Sequence, residues 1–472
     1  MNRNFVNSKF SDIALVGVAI AAIAYAIVLR EYDAVTTMQA GYALLIIFLG
    51  CLPSLIARVS EKEARLIPLM PLHGLFYAFT FGLPALSNKT YWLTSDKDVI
   101  SDALLFTISG LSSLYFGYYL SSKQFSSIKA ISVHNISVNQ QISVAWIFFG
   151  VFLAFQFFPY LRSLPSLEQL SVPSGYLSLG ILTLLALGGY LSRLHFLVFL
   201  VAVCLNLGLG ILSGSLAPPV LLLIFIGILF WNKKRRVPIL LIIFISLVAV
   251  LLNPIKMRYR DVTWYENQSS PSFYDKTILL RDIVLEYYSD PDILEVVDQD
   301  ASTINRLAHI STFAHVINLT PESVPYWLGE SYRTLWTSYI PRALWPDKPQ
   351  ATIGQDFGHR YFLIAENNLF TSINLPWLIE LYANFGFEGL LLGMFFVGIL
   401  FRFLVQKFRV PVTSPIEHSL AVTIMFGLFY AESNFSLMVG GIFSIYIAFL
   451  VLLFLLRLAN FGSNSQDLRQ RR

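Results

Sequence analysis

Ala217-Pro218-Pro219-Val-Leu-Leu-Leu-Ile-Phe-Ile-Gly-Ile-Leu-Phe-Trp231 leads into Asn232-Lys233-Lys234-Arg235-Arg236, and Val237-Pro238-Ile-Leu-Leu-Ile-Ile-Phe-Ile-Ser-Leu-Val-Ala-Val-Leu-Leu-Asn253-Pro254 follows. Two apolar runs flank four consecutive cations. Runs of about 20 apolar residues suit helices crossing the bilayer core, and cations between two such helices hold their connection on the cytoplasmic side. A basic cluster in this setting reads as a topological clamp, not a nucleic-acid patch. Composition agrees along the whole chain: of 472 residues, 56% are hydrophobic and only 13% are charged, and the mean hydropathy is +0.63. A soluble domain carries roughly a quarter charged residues, and a disordered one is poor in apolar residues. Both classes are excluded. Cys51 and Cys204 each sit inside an apolar run, so neither a disulfide framework nor a cysteine zinc site is available.

Further apolar runs lie near 12–29, 38–57, 66–86, 102–120, 142–160, 175–191, 195–213, 386–405, 416–432 and 437–456. With the two above, the expectation is an all-α polytopic membrane protein of about twelve transmembrane helices. The first run follows Arg3 and Lys9 and contains Ala22-Ile-Ala24, as a cleavable leader would, but it continues past those alanines and reads as a retained helix. Nineteen of the 33 Lys and Arg fall on the side that holds the N-terminus, and four fall in short loops of the other side. The remaining ten lie in one long segment, so both termini are expected in the cytoplasm. The chain then divides into an N-terminal bundle over 1–254, a large helical periplasmic loop over 255–374, and C-terminal helices with a tail over 375–472.

A segment this long between membrane helices is expected to be functional. Helical spacing of apolar residues predicts helices over 276–287, 301–318 and 325–340, the last ended by Pro341, and another starting after Asn374 with Pro376 in its first turn. The first half is acidic, from Asp282 to Asp300. Asp290-Pro-Asp292 and Asp298-Gln-Asp300 resemble a metal-holding pair, but such pairs occur on any solvated acidic helix face. The second half gathers Arg333, Arg342, Lys348, His359 and Arg360 within 28 residues, interleaved with Trp336, Trp345, Tyr361 and Phe362. Lys256, Arg258 and Arg260 stand where the segment leaves the membrane. Guanidinium groups bind phosphate oxygens in pairs, and aromatic rings suit the apolar faces of sugars. Lipid headgroups or loop carboxylates such as Glu330 are the alternative partners for these cations. Tyr339-Ile-Pro341-Arg342-Ala-Leu-Trp345-Pro346-Asp347-Lys348-Pro349 holds three prolines in nine residues. Pro346-Asp347 suits the centre of a type I turn, and the stiff path would set the directions of Arg342, Trp345 and Lys348.

Pro341-Arg-Ala-Leu-Trp345-Pro-Asp-Lys-Pro349 resembles the Pro-x-x-Leu-Trp-Pro-x-[Lys/Arg]-Pro segment of bacterial oligosaccharide repeat-unit polymerases, the O-antigen and exopolysaccharide polymerases of the Wzy type. Glu380-Leu-Tyr382-Ala-Asn384-Phe-Gly386-Phe-Glu-Gly389 is similar to the segment that opens their next helix, and the layout of spans with one late periplasmic loop is shared with O-antigen ligases. One departure stands out: Leu216, in Leu212-Ser-Gly-Ser-Leu216, occupies the place of an arginine common in such polymerases, so that either another cation such as Arg258 or Arg260 supplies that charge or the subfamily or reaction differs. The resemblance implies a glycosyltransferase of the lipid-using GT-C kind. It joins undecaprenyl-pyrophosphate-linked repeat units at the periplasmic face of the bacterial inner membrane. Its partners would be those glycans, membrane lipids, a chain-length regulator and a flippase, with no nucleic acid and no cofactor.

For such a reaction the leaving pyrophosphate needs cations aimed at it, and an acceptor hydroxyl needs a proton acceptor. Arg342, Glu380 and His359 are the expected catalytic residues, with Asp347 and Asp356 as further candidate bases. Lys348, Asp347, Trp345, Arg333, Arg258, Arg260, Arg360, Tyr382 and Asn384 are expected to bind substrate. Glu380 could instead complement a helix dipole. His309 and His315, six apart, have no third metal ligand at a suitable spacing, so no metal is expected. The rival readings are an O-antigen ligase, a polysaccharide flippase or transporter, and a membrane acyltransferase. A transporter would show repeated halves and short loops. An acyltransferase would use a buried histidine such as His73, which reads as a satisfied polar group.

Overall fold

The structure, a computed structural model, describes residues 36–59, 67–86, 93, 96–126, 137–158, 160–161, 171–234, 238–260, 262–263, 273–289, 308–338, 340, 345, 347–348, 352–368, 371–408, 415–429, 431–440, 442 and 445–446. The run at 12–29, most of the run at 437–456, the acidic pairs at 290–300 and residues 341–344, with Arg342, lie outside the described residues. The described residues form an all-α protein. The apolar runs become α1 (Thr37–Val59), α2 (Leu69–Tyr77), α3 (Lys97–Leu120), α4 (Val138–Phe157), α5 (Ser171–Leu187), α6 (Arg193–Ile211), α7 (Ala217–Lys234) and α8 (Ile239–Arg260). After the long segment come α13 (Trp377–Lys407) and α14 (Pro415–Phe429). Seven helical stretches among the described residues are long and apolar enough to cross a membrane, and α5 and α14 are shorter apolar helices. Polar residues mark several starts: Asp96 accepts from the backbone N–H of Asp98, Ser137 and Gln140 form a capping box, and Ser192 accepts from the N–H of His195.

Burial sorts these helices by their sequence. α5 is apolar on all sides and buried on nearly all of them, packed by α4, α7 and α14, as expected of a helix without a polar face. α6 is equally apolar yet largely uncovered, with Leu194, Leu197, Val198 and Val201 exposed; Leu240, Ile243 and Leu247 of α8 are exposed likewise. Apolar surface of that extent requires lipid or another protein.

α3 and α13 form the most extensive helix pair. Small residues let their backbones meet, as in membrane bundles generally. A Cβ at Gly398 would land on the Leu114 carbonyl oxygen, one at Gly117 would land on that of Phe395, and Ser113 Oγ donates to the Leu391 carbonyl at 2.7 Å. Gly398→Val therefore forces the two backbones apart. Overpacking costs ~1–3 kcal/mol or more, and the expected outcome is a clearly lower melting temperature of the detergent-solubilised protein. An unchanged melting temperature would contradict the α3–α13 interface.

The long segment holds α9 (Phe273–Ser289), α10 (His309–Leu319), a 3₁₀ turn at Glu330–Tyr332 running into α11 (Arg333–Ser338), and α12 (Ile353–Arg360). α9 falls where helical spacing predicts a helix; α10 begins at His309, after a non-helical Ala308, rather than at 301, and 301–307 lie outside the described residues. The helix expected over 325–340 begins only at Arg333. Gly329 takes φ 94° and Leu328 φ 52°. The Trp327 and Leu328 N–H groups donate outward, at 3.0 and 3.1 Å, to the carbonyls of Ala383 and Asn384. Those carbonyls sit just before a break in α13 at Gly386 (φ 69°, ψ −158°), a conformation that favours glycine. The kink in α13 and the irregular strand 325–329 thus satisfy each other's backbone groups.

Candidate functional site

The first turns of α13 carry Glu380 and Asn384 one above the other, as residues four apart must be, and both are fully buried. The Glu380 carboxylate accepts from Ser331 Oγ at 2.7 Å and from the Phe435 backbone N–H at 2.7 Å. The Asn384 amide donates to Ser331 Oγ at 2.9 Å and to the Glu380 carbonyl at 2.7 Å, and its oxygen accepts from the Gly329 N–H at 2.9 Å. Ser436 Oγ donates to the Ser331 carbonyl at 3.2 Å. One polar network therefore ties the 329–332 turn, the start of α13 and the 434–436 turn together. Satisfied networks of this kind rigidify a site.

Beside the network lies a cleft of about 430 Å³, lined almost wholly by apolar groups of Tyr332, Leu335, Trp377, Leu381, Phe396 and Phe435 among others. Tyr332 stacks on Phe385 with ring planes 13° apart. Burial, and after it the neighbouring Glu380, push the Tyr332 phenol well above its ordinary range. The ring therefore brings no charge to the cleft. The cleft opens between the long segment and the membrane helix α13, with exposed Arg333 between Tyr332 and the next lining residue, Leu335.

The expected site residues separate into groups. Glu380, Asn384 and Tyr382 come together with the 327–332 segment; Tyr382 is buried, its hydroxyl 3.5 Å from the Thr320 carbonyl. Glu380 does not line the cleft, and the two oxygens of its carboxylate each hold a donor from the protein. Arg360 joins the same region by donating to the Pro325 carbonyl and standing 5.5 Å over the Trp327 ring. His359 is half-buried at the end of α12. Asp356 accepts from Thr352 Oγ1 at 2.9 Å as a local helix-start contact. Trp345 and Asp347 are exposed. The Lys348 N–H donates to the Trp345 carbonyl at 3.2 Å across the expected turn, and Lys348 Nζ reaches the Ile340 carbonyl at 3.1 Å. Arg258 forms an exposed ion pair with Glu286 at 2.8 Å, between the same two helices, α8 and α9, whose Ile255, Tyr259, Ile283 and Tyr287 make a separate small core. The side chain of Arg260 lies outside the described residues, as does Arg342. Tyr259, between the two arginines of α8, donates to the Leu212 carbonyl at 3.1 Å. That bond ties the end of α8 to the turn that follows α6.

Ser331, Phe435 and Ser436 escaped the reading of the sequence, because their roles depend on partners 49 to 105 residues away. The signal for the third segment was present as Ala431-Glu432-Ser433-Asn434, a polar break between the last two apolar runs. No group of three or more metal-binding side chains occurs among the described residues.

No curated protein and no solved structure matches the chain. A family model described as a domain of unknown function (DUF8712) matches residues 68–462. That match spans most of the chain, which accordingly belongs to this family.

Proposed function

We propose that this protein is a glycosyltransferase that joins lipid-linked oligosaccharide repeat units into a polymer at the outer face of a bacterial inner membrane. About twelve helices span the membrane with both termini in the cytoplasm, and residues 255–374 form the extracytoplasmic segment. The observation that carries the reading is the apolar cleft at the junction of that segment with α13. A prenyl chain needs an apolar channel open at membrane level, and its pyrophosphate needs cations at the end of that channel. Arg333 and Arg360, with Lys348 and Arg342 on the proline-stiffened stretch, belong to the segment that forms one wall. The cation sorting and the likeness of 341–349 and 380–389 to repeat-unit polymerases support the same reading.

In the reaction, an acceptor sugar hydroxyl attacks the anomeric carbon of the donor glycan. A new C–O bond forms, and the bond to pyrophosphate breaks with its electron pair on the leaving oxygen. The hydroxyl proton passes to a base. Cations preorganised where that charge develops lower the barrier most.

Deleting the gene in its own host tests the reading. Polymer ladders should collapse to a single repeat unit on the surface glycan. Loss of all repeats from the surface would instead indicate a ligase, and unchanged ladders would contradict the proposal.

A further inference from the structure

Outside the Glu380 network, buried His309 faces the partly buried carboxylate of Glu432. His309, the first residue of α10, is 4% exposed, and its Nε2 atom has no hydrogen-bond partner among the described residues. It stands 3.7 Å from Glu432 Oε1. That distance is too long for a hydrogen bond and too short for indifference. The other oxygen, Oε2, accepts from Asn374 Nδ2 at 2.7 Å. The His309 ring is walled by Phe76 and Phe81, with centroids at 5.8 and 6.1 Å. Glu432 retains 16% of its side-chain exposure, against 4% for His309.

Asn374 and Glu432 stand close in the chain to residues that line the cleft. Asn374 precedes the lining residue Trp377 by three positions, and Glu432 precedes Phe435 by three. Three residues reach at most about 10 Å. A purely structural carboxylate would close its hydrogen bonds, as Glu380 does. This one is oriented by an amide on one side and faces a dry imidazole on the other, and its side chain keeps partial exposure. Hydrogen bonds of a catalytic base are often long before substrate binds and tighten afterwards.

We infer that Glu432 is the proton acceptor for the attacking sugar hydroxyl, with His309 and Asn374 as its positioning residues. The inference rests on the glycosyl-transfer reading above. As the acceptor oxygen bonds to the anomeric carbon and the pyrophosphate departs with the bonding pair, the hydroxyl proton moves to the Glu432 carboxylate. His309 Nε2 closes on the second oxygen as the site fills.

The test uses purified full-length protein in lipid vesicles with a lipid-linked repeat unit. Glu432→Gln should lower kcat by ~10²–10⁴-fold, with KM for the acceptor changed less than about threefold. Added formate should restore part of the rate to Glu432→Ala. His309→Gln should lower kcat about tenfold, with KM unchanged and no response to formate. If Glu432→Gln does not fold, the His309→Gln and formate results decide the matter. Wild-type rates in Glu432→Gln, or a purely KM effect, would overturn the inference while leaving the transfer reading intact. A folded wild-type protein that joins no repeats would overturn the transfer reading, and this inference with it.

Discussion

Glu380→Ala should lower the stability of the solubilised protein by about 3–5 kcal/mol. The side chain is fully buried and receives the Ser331 hydroxyl and the Phe435 N–H. Truncation leaves both donors without an acceptor in a dry site, and each such loss costs ~1–3 kcal/mol. The cavity left by the removed atoms adds to this. Glu380→Gln should cost less. Its amide oxygen can still accept from Phe435, but the NH₂ group then faces Ser331 Oγ, which already accepts from Asn384. A thermal scan of the variants, with the wild type as reference, reads the order directly. The expected ranking is wild type, then Gln, then Ala, with Ala lower by at least about 5 °C. Equal melting temperatures would mean that the three turns are not held by this carboxylate.

Arg342→Ala should lower activity strongly. The stretch 341–349 brings prolines at three positions and an arginine between aromatic residues, and a guanidinium can hold two pyrophosphate oxygens at once. Removing one preorganised charge-stabilising group costs about 10²–10³-fold in rate. In cells the expected phenotype is a surface glycan carrying single repeat units, from a protein inserted at wild-type level. Arg342→Lys should recover only part of the polymer, because a point charge replaces a two-pronged donor. Normal ladders from Arg342→Ala would remove this residue from the mechanism.

The helices of the fold were legible in the sequence wherever an apolar run of membrane length stood between polar stops. α3, over the apolar run 102–120, and α7, which ends in Lys233 and Lys234, are two cases. The start of α13 after Pro376 was legible for the same local reason. The irregular strand 325–329 was not. Trp327 and Leu328 have helical spacing with later apolar residues, but their backbone N–H groups are taken by the kink at Gly386, more than fifty residues on. Tertiary hydrogen bonds override periodicity there. Of the candidate site, Glu380 and Asn384 were singled out through their local motif, whereas their partner Ser331 lies in an unremarkable Gly-Glu-Ser-Tyr turn. The His309–Glu432 pair joins two residues 123 positions apart. No spacing rule connects them, and only the packing of α10 against the last polar turn brings them within reach.

The central claim is that this chain itself joins lipid-linked repeats. Purified protein reconstituted in vesicles, given one synthetic repeat unit on polyprenyl pyrophosphate, tests it most directly when the lipid-linked products are resolved by gel and mass spectrometry. The account predicts a ladder spaced by one repeat unit, with one polyprenyl pyrophosphate released per bond formed. A folded protein that leaves the single repeats unjoined, or only carries them across the bilayer, would contradict it.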